Sequence, residues 1–176
     1  MDTALVGVRN YLVEGVSGTG KTSVCRELDR RAYQAINGDR ELACQGDPET
    51  GEATAIAQHQ NHIWDVGRVR ALVADDQEPV TFFCGGSRNF SKFIGLFDGV
   101  FVLDIDLDTL HRRLDQRPQD EWGSRPSERD LIVRLHRTKE DVPGNGLVID
   151  ATRPLAEVVD EILRHVERRA PGVGDA

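Results

Sequence analysis

The chain has 176 residues, 39% of them apolar and 30% charged, and a formal net charge of −8. That length supports one core and little more, and the acidic balance argues against a general nucleic-acid-binding surface. No apolar run approaches the roughly 18–20 residues that span a bilayer, and no basic stretch precedes an apolar core at the start, so neither a membrane span nor a secretory signal is expected.

Tyr11-Leu12-Val13-Glu14 reads as a short strand running into a Gly-rich loop. Residues 22–31 read as a helix, with Val24 and Leu28 four apart. Residues 33–37 form a second predicted strand, closed by Gly38-Asp39. Residues 41–56 are polar and hold Gly46, Pro48 and Gly51, the mark of a surface excursion. A helix is expected over 57–74. The run Pro79-Val80-Thr81-Phe82-Phe83-Cys84, bounded by Gly85-Gly86, has the continuous apolar character of a buried parallel strand. A short helix is expected over 89–96, a buried strand over 99–105, and helices over 107–117 and 127–140. A fifth strand at 146–150 precedes an amphipathic helix at 154–169, with Leu155, Val158, Val159, Ile162 and Val166 on one face. Residues 171–176 read as a frayed tail.

Strand and helix therefore alternate five times, which predicts a parallel sheet covered by helices on both faces. In such sheets ligands bind beyond the carboxyl ends of the strands. The three cysteines, Cys25, Cys44 and Cys84, have no metal-ligand spacing and read as reduced thiols of a cytoplasmic protein.

Gly15-Val16-Ser17-Gly18-Thr19-Gly20-Lys21-Thr22 fits the pattern G-x-x-x-x-G-K-[ST] between a strand and a helix, with Ser23 following. Glycines let backbone N–H groups turn inward around an anion. The helix that begins there directs its positive end at phosphate. Lys21 neutralises the outer phosphates, and the Thr22 hydroxyl is the expected Mg²⁺ ligand. The chain carries 19 Arg and only 3 Lys, and one of those Lys is at this position. The loop implies a nucleoside triphosphate, taken as ATP.

Asp141-Val142-Pro143-Gly144 matches the D-x-x-G element of GTPases, but it follows a charged helical stretch instead of a strand, and no Asn-Lys-x-Asp motif exists. The match reads as accidental. The third predicted strand has no terminal Asp-Glu pair of the kind that ATPase motors use. His59 and His62, three apart, lack a third ligand of suitable spacing and read as surface or substrate-contacting residues, and Trp64 as a packing or ring-stacking residue. Asp104, Asp106 and Asp108 read as capping and solvated residues, with Asp108 as the helix cap.

With these residues in place, the chain resembles the small-molecule kinases of the adenylate, shikimate and gluconate kinase group. Four features carry the resemblance: the Glu14–Thr22 segment; Asn37-Gly38-Asp39 at the end of strand two; Cys84-Gly85-Gly86-Ser87 at the end of strand three; and Leu110-His111-Arg112-Arg113-Leu114-Asp115-Gln116-Arg117, similar to the helix that opens a lid. Val148-Ile149-Asp150-Ala151-Thr152-Arg153-Pro154 resembles the loop along the adenine edge. The resemblance implies an α/β three-layer sandwich with a five-stranded parallel sheet, in one P-loop kinase domain over residues 1–170 with a short lid near 118–137.

It also implies roles. Asp39 positions or deprotonates the acceptor hydroxyl, or serves as a turn residue; Asn37 stands where the group often has another Asp. Arg113 lies near adenine and Arg117 reaches the phosphates. Arg153 and Pro154 complete the ATP site. Arg125 is the lid arginine chosen for the phosphates. Asp39, Arg40, Gly85, Gly86, Arg88 and Asn89 are the expected acceptor contacts, although Asn89 also suits a cap. ATP and Mg²⁺ are the expected cofactors, a small-molecule acceptor the expected partner, and the chain a monomer or homodimer. The expected activity is ATP-dependent phosphorylation of a nucleoside or nucleoside monophosphate. A sugar, polyol or shikimate-like hydroxyl acceptor is the alternative. A slow ATPase switch or assembly factor is the reading from another class.

Overall fold

The computed structural model describes residues 8–169; the expected tail at 171–176 lies outside the described residues. Seven strands and six α-helices lie along them. They are β1 (Arg9–Gly15), α1 (Lys21–Arg30), β2 (Gln34–Asn37), α2 (Gly38–Glu41), β3 (Ala43–Gln45), β4 (His62–Trp64), α3 (Val66–Val73), β5 (Val80–Cys84), β6 (Gly99–Asp104), α4 (Leu107–Asp115), α5 (Pro126–Thr138), β7 (Leu147–Asp150) and α6 (Leu155–Arg168). Among them no helix is long and apolar enough to cross a membrane.

Five strands form one parallel sheet in the order β2-β5-β1-β6-β7. From β1 the chain crosses to β2 on one side, and from β5 it crosses back past β1 to β6 on the other, so the switch point falls between the carboxyl ends of β1 and β5. Register brings the strand ends level: Val13 pairs with Cys84, Asn37 with Cys84, Gly15 with Leu103 and Asp104 with Asp150. The loops after all five strands therefore open on one rim.

Alternation along β1 and β5 divides the core. Tyr11, Val13 and Phe82 face the layer of α1, α4, α5 and α6, packing with Val24, Leu28, Leu110, Leu114, Ile132 and Ile162. Leu12, Ile36 and Phe83 face the opposite layer, where Leu42, Trp64, Val69 and Phe93 close the sheet. Burial on both faces explains the unbroken apolar character of these strands. The expected three-layer α/β sandwich with a five-stranded parallel sheet is present.

The second layer departs from the sequence reading. In place of a helix over 57–74, a 3₁₀ turn (His59–Asn61) leads into β4, and only Val66–Val73 is helical. β4 pairs antiparallel with β3 inside the presumed excursion, Cys44 facing Ile63. Ile63 and Trp64 are adjacent and both buried, directed to opposite faces of the ribbon. Asp65 then caps α3, accepting from the Arg68 N–H at 3.0 Å. Trp64 stacks on Phe93 with ring centroids 5.5 Å apart, and its ring lies against Gly38, where any Cβ would overlap it. The Asn-Gly-Asp sequence after β2 therefore has glycine because Trp64 fills that space.

Two smaller expectations also change. Residues 89–96 form two 3₁₀ turns instead of a helix. The cap of α4 is Asp106, which accepts from the Thr109 N–H at 2.7 Å, and Asp108 lies within the first turn.

Candidate functional site

The loop between β1 and α1 closes on itself. Thr19 is buried, and its hydroxyl donates to the Val16 carbonyl at 2.8 Å. Gly20 precedes α1 at φ 102°, a left-handed conformation that side chains disfavour. This turn leaves the first N–H groups of α1 facing the rim, where the helix dipole favours an anion. Lys21 donates to the Gly15 carbonyl across the loop. Thr22 and Ser23 are exposed in the first turn of α1.

Two arginines from α4 and its C-terminal end bind the loop from the other side. Arg113 donates to the Gly18 carbonyl at 3.1 Å and to the Ala151 carbonyl at 2.8 Å. It thus joins the phosphate loop to the loop after β7. Arg117 donates to the Ser17 hydroxyl at 3.1 Å and to the Trp122 carbonyl at 2.6 Å. Arg153 pairs with Glu161, and Pro154 precedes α6. Arg125 precedes α5, whereas Arg129 pairs with Asp115 and Arg134 with Glu140.

A cavity of about 420 Å³ opens beside the phosphate loop, lined among others by Gly15, Ser17 and Lys21 on that side and Asp39, Gly86 and Arg88 on the other. Its size suits a small organic molecule. Asp39 Oδ1 accepts from the Gly86 N–H at 3.3 Å and lies 3.1 Å from His62 Nε2. Burial opposes ionisation of Asp39. The His62 hydrogen bond, the Lys21 charge and the Gly86 N–H outweigh it and hold the carboxyl below its ordinary value.

Of the other expected acceptor contacts, Arg40 is exposed on α2 and does not line the cavity. Asn89 is buried; its amide donates to the Trp64 carbonyl and accepts from the Trp64 N–H, both at 3.0 Å. It fixes β4 beneath the cavity and does not face it. Gly85 lies against Asp39 and the Trp64 ring.

Several cavity residues escaped the sequence reading. Glu14, at the end of β1, is 2% exposed. Burial pushes its carboxyl up to about 8, against the opposing effects of Lys21 and the Gly15 N–H. A carboxylate closing a buried strand was the available signal. Asp141, in the motif dismissed as accidental, lies 3.1 Å from His59 Nε2 and 3.6 Å from Arg88. His59 in turn stacks on Trp122, with centroids 5.3 Å apart and planes 11° from parallel. Segments from before β4 and on both sides of α5 thus meet over the cavity.

The residues suit a Mg-nucleotide. The Thr22 hydroxyl at an exposed helix start is a hard oxygen donor, and triphosphate oxygens with water complete such a set. Among the described residues no group of three His, Cys, Asp or Glu gathers to hold an ion by itself.

No family model matches the chain, and no curated protein matches it. Solved structures do. A sugar kinase from a Janibacter species is 18% identical, with 91% of this chain and 95% of that one covered and a TM-score of 0.57. A gluconokinase from Sinorhizobium meliloti is 24% identical, covering 92% and 93%, at 0.55. A shikimate kinase from Aquifex aeolicus is 16% identical, covering 90% and 96%, at 0.55. The chain shares the fold of these P-loop kinases over nearly its whole described length.

Proposed function

We propose that the chain is an ATP-dependent kinase that phosphorylates a hydroxyl group of a small acceptor. One observation carries the reading: a single cavity is bounded by the phosphate loop with Lys21 on one side and by Asp39 on the other. The donor site and a carboxylate able to receive a hydroxyl proton therefore share one space. The fold shared with a sugar kinase, a gluconokinase and shikimate kinases agrees with it.

In this reading the loop amides and Lys21 hold the phosphates, with Arg113 beside adenine. Arg117, already at the Ser17 hydroxyl, stabilises charge spreading over the transferred phosphoryl group. Thr22 holds Mg²⁺, which neutralises charge on the phosphate oxygens when bound. Asp39 orients the acceptor hydroxyl and takes its proton as the oxygen attacks phosphorus, ADP carrying away the bonding electrons. His62 and the Gly86 N–H fix the carboxylate for this task. Residues 118–137 act as a lid, its Trp122 resting on His59 and excluding water, which competes with the acceptor.

The acceptor reading shifts toward an uncharged hydroxyl compound, a sugar, polyol or nucleoside. A nucleoside monophosphate needs free cations in the pocket. Arg40, Arg68 and Arg70 do not line it, and Arg88 lies against Asp141. The test is ADP release from Mg-ATP across a panel of polyols, sugars, nucleosides and hydroxy acids. Acceptor-dependent release that Lys21→Ala abolishes supports a kinase; release indifferent to every acceptor favours the slow ATPase.

A further inference from the structure

Asp141 and Arg88 face one another on the cavity wall, and their hydrogen bonding is incomplete. Asp141 has a side chain only 9% exposed and directs Oδ2 at both His59 and Arg88. Its second oxygen, Oδ1, is shielded from solvent, as is Arg88 Nη1, and among the described residues neither has a hydrogen-bond partner. Leaving such groups unsatisfied is costly, the more so when they are charged. The cost is removed when a ligand supplies what is missing.

What is missing is an acceptor for Arg88 and a donor for Asp141. A hydroxyl group supplies both at once, donating to Oδ1 and accepting from Nη1. A carboxylate or phosphate has no proton to donate and brings a second negative charge beside Asp141. Both atoms lack exposed surface, so a hydroxyl reaches them as the side chains over them shift.

We infer that Asp141, with Arg88, selects an uncharged polyhydroxy acceptor by binding a second hydroxyl while Asp39 engages the one that is phosphorylated. This rests on the kinase reading above and narrows its substrate class. It makes Asp141 a residue that discriminates against acids: with the carboxylate gone, the Arg88 fork becomes available to an acceptor's own carboxylate.

The test compares kcat/KM for glucose, myo-inositol and adenosine with kcat/KM for gluconate and adenosine monophosphate, in wild type and in Asp141→Asn. The wild type is expected to favour its best neutral acceptor over both anions by about tenfold or more, and Asp141→Asn to move the ratio toward gluconate by about tenfold. A folding defect lowers all rates but does not move such a ratio. Should Asp141→Asn fail to fold, Arg88→Gln must move the ratio further from gluconate. A wild type that prefers either anion, or a ratio unmoved by the substitutions, overturns the inference and leaves the kinase reading standing, since ADP still forms. ADP formation with none of the five overturns the inference, and release that no acceptor of the wider panel changes overturns the kinase reading as well.

Discussion

Asp39 accepts a hydrogen bond from the Gly86 N–H at 3.3 Å, joining the first turn after β2 to the first turn after β5. Two neighbouring strand ends are thereby tied through the one carboxylate proposed to receive a proton. The contact, with His62 3.1 Å away, keeps Asp39 ionised. Replacing it with Asn preserves shape and removes basicity. Asp39→Asn is expected to lower kcat by about 10²–10⁴-fold with little change in ATP affinity, read by steady-state kinetics and by nucleotide titration. An unchanged kcat removes Asp39 from the mechanism.

His62 acts on the reaction through Asp39. Loss of its hydrogen bond allows burial to raise the Asp39 carboxyl. His62→Ala is therefore expected to move the acid limb of kcat/KM to higher pH, a shift that a purely structural role does not produce. The pH profile of the variant against wild type checks it.

Glu14 makes stability depend on pH. Its folded value of about 8 lies above its ordinary 4.5. The folded chain therefore holds the proton more tightly, and the associated stability is fully present below about 4.5 and is lost as pH rises through about 8. The charged and titratable groups around it are Lys21, Asp39 and Asp141. Glu14→Gln, which cannot ionise, is expected to flatten the fall, gaining roughly 2–5 kcal/mol on wild type between pH 5 and 9. Denaturant unfolding at the two pH values measures it.

Gly38 carries a packing prediction. A methyl group there overlaps the buried Trp64 ring. Gly38→Ala is expected to destabilise by about 1–3 kcal/mol, since the ring is stacked on Phe93 and cannot retreat freely. It also shifts Asp39, the next residue, so activity falls with stability. A double variant with Trp64→Phe is expected to recover part of both, as melting temperature and kcat will show.

The parts of this architecture that depend on local pattern were readable in the sequence. The phosphate loop is a motif with fixed spacing, the five parallel strands are short apolar runs closed by glycine or aspartate, and Asp39 follows a strand end. The parts that depend on tertiary pairing were not. β3 and β4 each have three residues, too few for a periodic signal, and β4 was absorbed into an expected helix. Asp141 meets His59 across 82 positions of sequence, and no spacing rule links them. Asn89 shows the converse: it stands beside the expected contact Arg88, yet its amide satisfies the backbone of Trp64 and turns away from the cavity. Trp122 falls within the expected lid at 118–137, but its stacking on His59 has no signal in sequence, because it depends on the ring it rests against.

Phosphorus-31 NMR of Mg-ATP incubated with the protein and the acceptor panel tests the kinase claim most directly. The expected result is a new phosphate-ester resonance growing in step with ADP, dependent on an acceptor and absent with Lys21→Ala. Inorganic phosphate appearing alone, at a rate that no acceptor changes, contradicts phosphoryl transfer and leaves an ATPase.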